Sequence, residues 1–302
     1  MCIRDRRKNK NIEVKLIWML LTALFAVFLV YPVILLLVKS FQIDAGVGLI
    51  HYKEMFQTPD FVQSIGNSFF VSALSSVIVT GLAFLMAYTV NYTNVNQRFK
   101  KAVRMLAVLP MLLPTITYGF AIIYSFGKQG LFTKLLGRQL FDIYGINGLM
   151  IGYVIYTLPV SFLLINNTMG YVDKKFTVVS RVMGDNIFHT FVTTVLRPLA
   201  GTLTVSFIQC FFLCFTDFGI PASVGGRFEV AASVLYNQML GSVPNFNNGA
   251  VVAMIMLLPS VVSILIINYL ERYNIRYTTV SAIENEKNRI RDVVCALSLI
   301  HI

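Results

Sequence analysis

The chain has 302 residues, 56% of them hydrophobic and 13% charged, with a mean hydropathy of +0.71 and a formal net charge of +11. That balance describes an integral membrane protein. It excludes a soluble nucleic-acid binder, because a basic patch needs a soluble fold to carry it.

Both ends read oddly. Met1–Arg6 (MCIRDR) and Leu297–Ile302 (LSLIHI) can be encoded by reverse-complementary DNA strings that resemble the transposon end used in sequencing adapters, so residues 1–6 and 297–302 are expected to be translated adapter. A natural basic N-terminus is the alternative for Arg4 and Arg6. Cys2 and Cys295 lie near the ends, while Cys210 and Cys214 lie four apart in an apolar run, which supports neither a disulfide framework nor a metal site.

A bilayer core needs about 20 mainly apolar residues in a helix. Six stretches qualify in chain order: Ile17 to Val38, Ser68 to Val90, Met105 to Phe126, Leu149 to Met169, Thr202 to Thr216 with some residues beyond it, and Ala250 to Leu270. The fold class expected is all-α, a polytopic bundle of about six transmembrane helices over residues 7–273, followed by a linker or tail over 274–296. Prolines 32, 110, 114, 159 and 259 fall inside these spans and favour bent helices.

Lys and Arg set the orientation. The N-terminal segment, the connections around Arg98–Arg104 and Lys174–Arg197, and the tail after Arg272 carry 17 of them, against 6 on the opposite side. Both termini and the loop over 171–200 are therefore expected on the cytoplasmic side.

No Asp, Glu, Lys or Arg lies within the six expected spans, and Asp217 stands where the fifth ends. A secondary carrier ordinarily needs such a group to bind its coupling ion. A phosphate-cradling G-x-x-x-x-G-K-[ST] loop and an H-E-x-x-H zinc motif are missing too, so no cofactor, metal or catalytic residue is assigned. Energy for work is expected from another subunit.

The loop contains SRVMGDNIFHTFVTTVLRPLAG, Ser180 to Gly201. Ile187, Phe188, Phe191, Val192, Val195 and Leu196 recur at helical spacing, which predicts an apolar stripe, with His189, Thr190, Thr193 and Thr194 on the other face. Asp185 or Asn186 is expected to cap this helix, Gly184 to allow a sharp turn before it, and Pro198 to stop it. By periodicity alone this is an amphipathic helix at the lipid interface, or a handle for a partner.

This stretch resembles the cytoplasmic loop of binding-protein-dependent ABC importer permeases, whose pattern is E-A-A, three residues, Gly, and then a run ending apolar-x-Leu-Pro. Aligned on Gly184, Val178, Val179 and Ser180 occupy the first three positions, so the acidic residue is missing. Asp185, Phe188, Thr190, Phe191 and Leu196 fit the run after the glycine, and Pro198 stands one residue late. TDFGIPASVGG (Thr216 to Gly226), VAASVLYNQM, FNNGAVVAMIMLLPSVVSILI and HYKEMFQTPDFVQSIGNSFFVSAL (His51 to Leu74) are similar to the ferric-iron and 2-aminoethylphosphonate branch of that family.

The resemblance implies the ABC importer permease (MetI-like) fold, placed as a multi-pass protein in a bacterial cytoplasmic (inner) membrane, and a translocation path for a solute brought by a periplasmic or extracellular binding protein. It implies coupling to separate ABC ATPase subunits, and pairing with a second permease half, fused or separate, within membrane lipid. Gly184, Asp185, Phe188, Phe191, Leu196 and Pro198 would form the ATPase-coupling site, with Phe188 entering an ATPase cleft. Asp217, Gly219, Pro221, Gly225 and Gly226 would be a backbone-irregular segment lining the path or its outer gate, or an ordinary turn at a helix end. A non-transporting scaffold and a secondary carrier are the rival functions. Iron(III), an organophosphonate, a polyamine and thiamine all remain open as cargo.

Overall fold

The computed structural model describes residues 2–43, 46–271 and 288–301. Residues 274–287 of the expected linker, and Met1 and Ile302 of the expected adapter ends, lie outside the described residues. Helix α1 (Cys2–Phe25) passes through a π-helical turn (Ala26–Val30) into α2 (Tyr31–Phe41). Strands β1 (Gln42–Ile43) and β2 (Gly46–Val47) pair antiparallel, with Gln42 opposite Val47. Helices α3 (Ile50–Gln57), α4 (Pro59–Tyr92) and α5 (Gln97–Val108) come next, then a 3-10 turn (Leu109–Leu112), α6 (Thr115–Phe126), α7 (Leu131–Leu136) and α8 (Ile146–Tyr171). The rest comprises α9 (Lys175–Val182), α10 (Ile187–Phe191), a second π-helical turn (Val192–Leu196), α11 (Arg197–Thr216), α12 (Gly219–Val224), α13 (Ala231–Leu240), α14 (Phe246–Glu271) and α15 (Arg289–His301).

Five stretches among the described residues are long and apolar enough to cross a bilayer unbroken: Ile12–Phe41, Pro59–Tyr92, Ile146–Tyr171, Ile187–Thr216 and Phe246–Leu270. A bent pair, Gln97–Leu112 and Thr115–Leu136, accounts for a sixth. The expected third span, Met105 to Phe126, is thus corrected to two segments meeting at 109°. Two prolines cause the break. Leu113, which precedes Pro114, is extended at φ −104° and ψ 143°, because a residue before proline is pushed out of the helical region. The Leu113 N–H bonds the Pro110 carbonyl at 3.0 Å, and the Tyr118 hydroxyl donates to the carbonyls of Pro110 and Leu113, tying α6 back to the break.

The fifth span is corrected as well. It begins at Ile187, 15 residues before the expected Thr202, and Pro198 does not stop the helix. The π-helical turn before it explains why. Arg197 N–H bonds Val192 C=O across that widened turn, so Pro198 enters at the first turn of α11, where its missing donor is tolerated. Pro32 succeeds the turn Ala26–Val30 in the same way.

The chain divides into two compact units, residues 1–59 with 235–255 and residues 60–234 with 256–302. In the first, Tyr52 donates to Ser40 Oγ at 2.9 Å, and Asn247 reaches the Gln42 carbonyl at 3.3 Å. In the second, α8 packs along α11, and Ser161 and Ser206 share a hydrogen bond of 2.6 Å between them. Small hydroxyl residues let membrane helices approach closely and bond across the seam. Two serines of α4 bond back on their own helix, Ser68 to the Ser64 carbonyl and Ser76 to that of Ser72. Below this seam Ala83, Ala87, Phe162, Ile165, Met169, Val195 and Leu199 form an apolar core from which the 171–200 loop emerges.

Candidate functional site

The loop is a hairpin of α9 against α10 and its π-helical extension. Asp173 opens α9 by accepting from Lys175 N at 2.9 Å. At the far end Gly184 N–H reaches Arg181 C=O at 3.0 Å and Asp185 N–H reaches Ser180 C=O at 3.2 Å, with Gly184 at φ +88°. This left-handed stop is the C-terminal cap that glycine supplies without strain. Asn186, rather than Asp185, then caps α10, accepting from His189 N at 2.7 Å.

Thr190 of α10 and Thr194 of the π-helical turn face inward, onto α9, while His189 stays exposed. Ser180 and Thr190 hydroxyls lie 3.0 Å apart, and those of Thr177 and Thr194 lie 3.2 Å apart. Asp185 accepts from Ser180 Oγ at 2.6 Å, and its other oxygen lies 3.9 Å from His189 Nε2. Burial pushes the Lys174 ammonium, just before α9, below its usual range.

The expected single apolar stripe is therefore split. Phe191 points into the bundle, edge-on to Phe84 and Tyr88 with ring centroids 6.1 and 5.7 Å away, and Val195 is buried below it. Ile187 and Phe188 are instead 80% and 76% exposed, beside Val182 at 83% and Met183 at 78% on the other arm of the hairpin. These four side chains cap the tip. Leu196 and Pro198 are half-buried a turn or more beyond it. The hairpin gathers Gly184, Asp185 and Phe188 at the tip, while Phe191, Leu196 and Pro198 belong to its stem. Val182 and Met183 escaped the helical-periodicity argument because they belong to α9, on the other side of the turn. The hydroxyls at Thr177, Ser180, Thr190 and Thr194 carried a usable signal in their three- and four-residue spacing.

The second group of expected site residues forms a different structure from the one predicted. Between Asp217 and Gly226 the backbone is helical over Gly219–Val224 rather than irregular, and Ile220, Pro221 and Val224 are buried. Asp217, itself buried, accepts from Ile220 N at 2.9 Å, which supplies the cap that makes so short a helix form. Helix α12 packs on α6 and α8. Gly119 on α6 makes this possible, since a side chain there would overlap Ser223. Gly225 and Gly226 come next, with Val224 C=O accepting from Gly145 N at 2.8 Å. Among the described residues no cluster of three or more His, Cys, Asp or Glu could hold a metal ion.

Residues 79–275 match the family described as "Binding-protein-dependent transport system inner membrane component". Two similar proteins are named for ferric transport: FbpB 1 of Haemophilus influenzae, 27% identical over 90% of this chain, and the permease FbpB of Actinobacillus pleuropneumoniae, 26% identical over 84%. This chain spans only 43% and 37% of the length of those two relatives. The sulfate transport system permease CysT of Synechocystis is 25% identical over 86% of this chain and 90% of its own. The fold is that of a solved bacterial ABC transporter involved in import of the acidic polysaccharide alginate, with a TM-score of 0.71 at 16% identity, over 91% of this chain and 100% of that one.

Proposed function

The chain belongs to the family of binding-protein-dependent transport system inner membrane components, and on that premise we propose that it is a permease subunit of an ATP-binding-cassette importer. It forms part of a path for a solute delivered by an external binding protein. ATP is hydrolysed by separate subunits, and the 171–200 hairpin carries their movement to the spans. Each nucleotide state favours one arrangement of the bundle only through differential contacts, and the hairpin is where such contacts are made.

The observation that carries this reading is the tip formed by Val182, Met183, Ile187 and Phe188. Four large apolar side chains exposed together on a hairpin braced by hydroxyl pairs are costly in water and suit burial in a partner's cleft. Phe191 acts from the stem, linking the tip to α4 through Phe84 and Tyr88. The excess of Lys and Arg on this side supports a cytoplasmic hairpin with both ends of 7–296 on the same face. Asp217 and α12, seated where the third span breaks, are proposed as the gate at the opposite end of the bundle.

The length of the ferric-transport relatives supports pairing with a second permease half, in the same polypeptide or another. Their names favour ferric ion as the cargo. The test is co-purification of the chain with its ATPase subunits and second half, and ATP hydrolysis that rises when loaded binding protein is added. Retention of the ATPase by a Phe188→Asp variant, or hydrolysis indifferent to binding protein, would count against the importer.

A further inference from the structure

A cavity of about 660 Å³ lies between the end of α4, the α9–α10 hairpin and the start of α15. Among the described residues three cations line it, Lys174, Arg181 and Arg291, and no carboxylate does. Its remaining walls are chiefly aromatic, aliphatic and hydroxyl-bearing. Tyr88 and Tyr92 stack in parallel with centroids 5.3 Å apart, and Phe191 meets Tyr88 edge-on. Lys174 Nζ stands 5.7 Å from the centre of the Tyr92 ring, and Arg291 lies within electrostatic reach of the Tyr88 hydroxyl. Lys100 of α5 lies within electrostatic reach of Lys174 and Arg291. Asp292, outside the lining, pairs with Arg291 at 2.9 Å.

We propose that this cavity seats the headgroup and first chain segments of an anionic phospholipid. The ligand chemistry is a phosphate diester joined to apolar chains. The cations meet the phosphate, and the aromatic wall meets the glycerol and first methylenes. A basic pocket between helices at the cytoplasmic surface is suited to such headgroups, because the leaflet there supplies them at high local concentration. The assignment rests on the cytoplasmic placement of the hairpin proposed above. Burial holds the Lys174 ammonium at a cost that an anion beside it would relieve. A seated lipid would brace the hairpin against α4, so lipid composition would set how firmly the tip is presented.

The test uses the full chain in nanodiscs of equal phosphatidylglycerol and phosphatidylcholine, extracted into detergent, with retained lipid weighed by native mass spectrometry. Phosphatidylglycerol should be retained in roughly fivefold excess or more. A Lys174→Gln, Arg181→Gln variant should lose that excess, Lys174→Arg should keep it, and a Lys128→Gln, Lys134→Gln control should be unchanged. Equal retention of the two lipids, or an excess that survives the double substitution at an unchanged melting midpoint, overturns the proposal. Displacement by soluble glycerol phosphate as effective as by phosphatidylglycerol also overturns it, in favour of a free-phosphate site. Both leaflets of a nanodisc carry the same lipid and no ATPase is required, so failure here is distinguishable from failure of the importer reading.

Discussion

The Ser180 hydroxyl donates to Asp185 Oδ2 at 2.6 Å and lies 3.0 Å from Thr190 Oγ1. A serine hydroxyl has one proton, so with Asp185 accepting it, Ser180 must accept from Thr190. One buried side chain thereby fixes α9 to the turn and to the first turn of the fifth span. The tip is presented by this brace, and a hairpin without it would spread the same apolar residues over many arrangements.

Ser180→Ala should remove both bonds and leave the Thr190 hydroxyl to its neighbours, at a cost of about 1–2 kcal/mol. Amide exchange over residues 183–190 should accelerate while that of α4 stays unchanged. Unaltered exchange at the turn would show that the hydroxyl pairs do not hold the hairpin.

Phe188 and Phe191 should part company on substitution. Phe188→Asp, at an exposed tip, should leave the melting midpoint within a degree or so of wild type and abolish ATPase capture, a loss of about 2–4 kcal/mol in binding. Phe191→Ala should instead lower the melting midpoint, because its edge-on contacts with Phe84 and Tyr88 leave a void worth about 2–4 kcal/mol. Thermal melts and co-purification of both variants decide whether tip and stem are correctly divided.

Gly184→Ala should cost about 1–2 kcal/mol although nothing lies within 4 Å of the added methyl group. The penalty comes from φ +88° alone, so Gly184→Asn should be milder than Gly184→Ala. Limited proteolysis at the turn, compared across the two variants, reads the order directly. The reverse order would point to a side-chain clash rather than to the backbone.

The seat of α12 on α6 predicts a compensating pair. Gly119→Ala should destabilise by about 1–3 kcal/mol, because its Cβ would occupy the position of the Ser223 hydroxyl. Ser223→Gly should be mildly destabilising alone and should recover much of the loss when combined with Gly119→Ala. Additive losses in the double variant would separate the two residues.

Much of this protein was legible in its sequence because a bilayer imposes one-dimensional rules. Unbroken apolar runs of sufficient length have to be helices, and backbone groups in hydrocarbon have to be bonded internally. That reasoning located the five unbroken spans, though the fifth starts earlier than expected, and the region of the bent pair; it also found the break in polarity at 171–200, and Gly184 with its flanking polar residues marked the turn. The motif around Gly184 and the run from Thr216 to Gly226 were enough to suggest the family.

What the sequence left undecided depended on contacts between elements distant along the chain or facing each other across a turn. Pro198 has the composition of a helix stop, but a π-helical turn ahead of it absorbs the missing donor and the helix continues. Pro110 and Pro114 have the same composition, yet there the chain breaks at 109°, and the Tyr118 hydroxyl binds the carbonyls of Pro110 and Leu113 across the break. Thr190 and Thr194 are polar by composition and lie opposite the apolar stripe, yet Ser180 and Thr177 on α9 supply partners that let them be buried. Gly219 to Val224 looked irregular, and it is helical because Asp217 caps it and Gly119 leaves room for it. Period and polarity are properties of a single segment, whereas burial of a hydroxyl, survival of a helix past proline and the seating of a six-residue helix are set by what another segment brings to meet it.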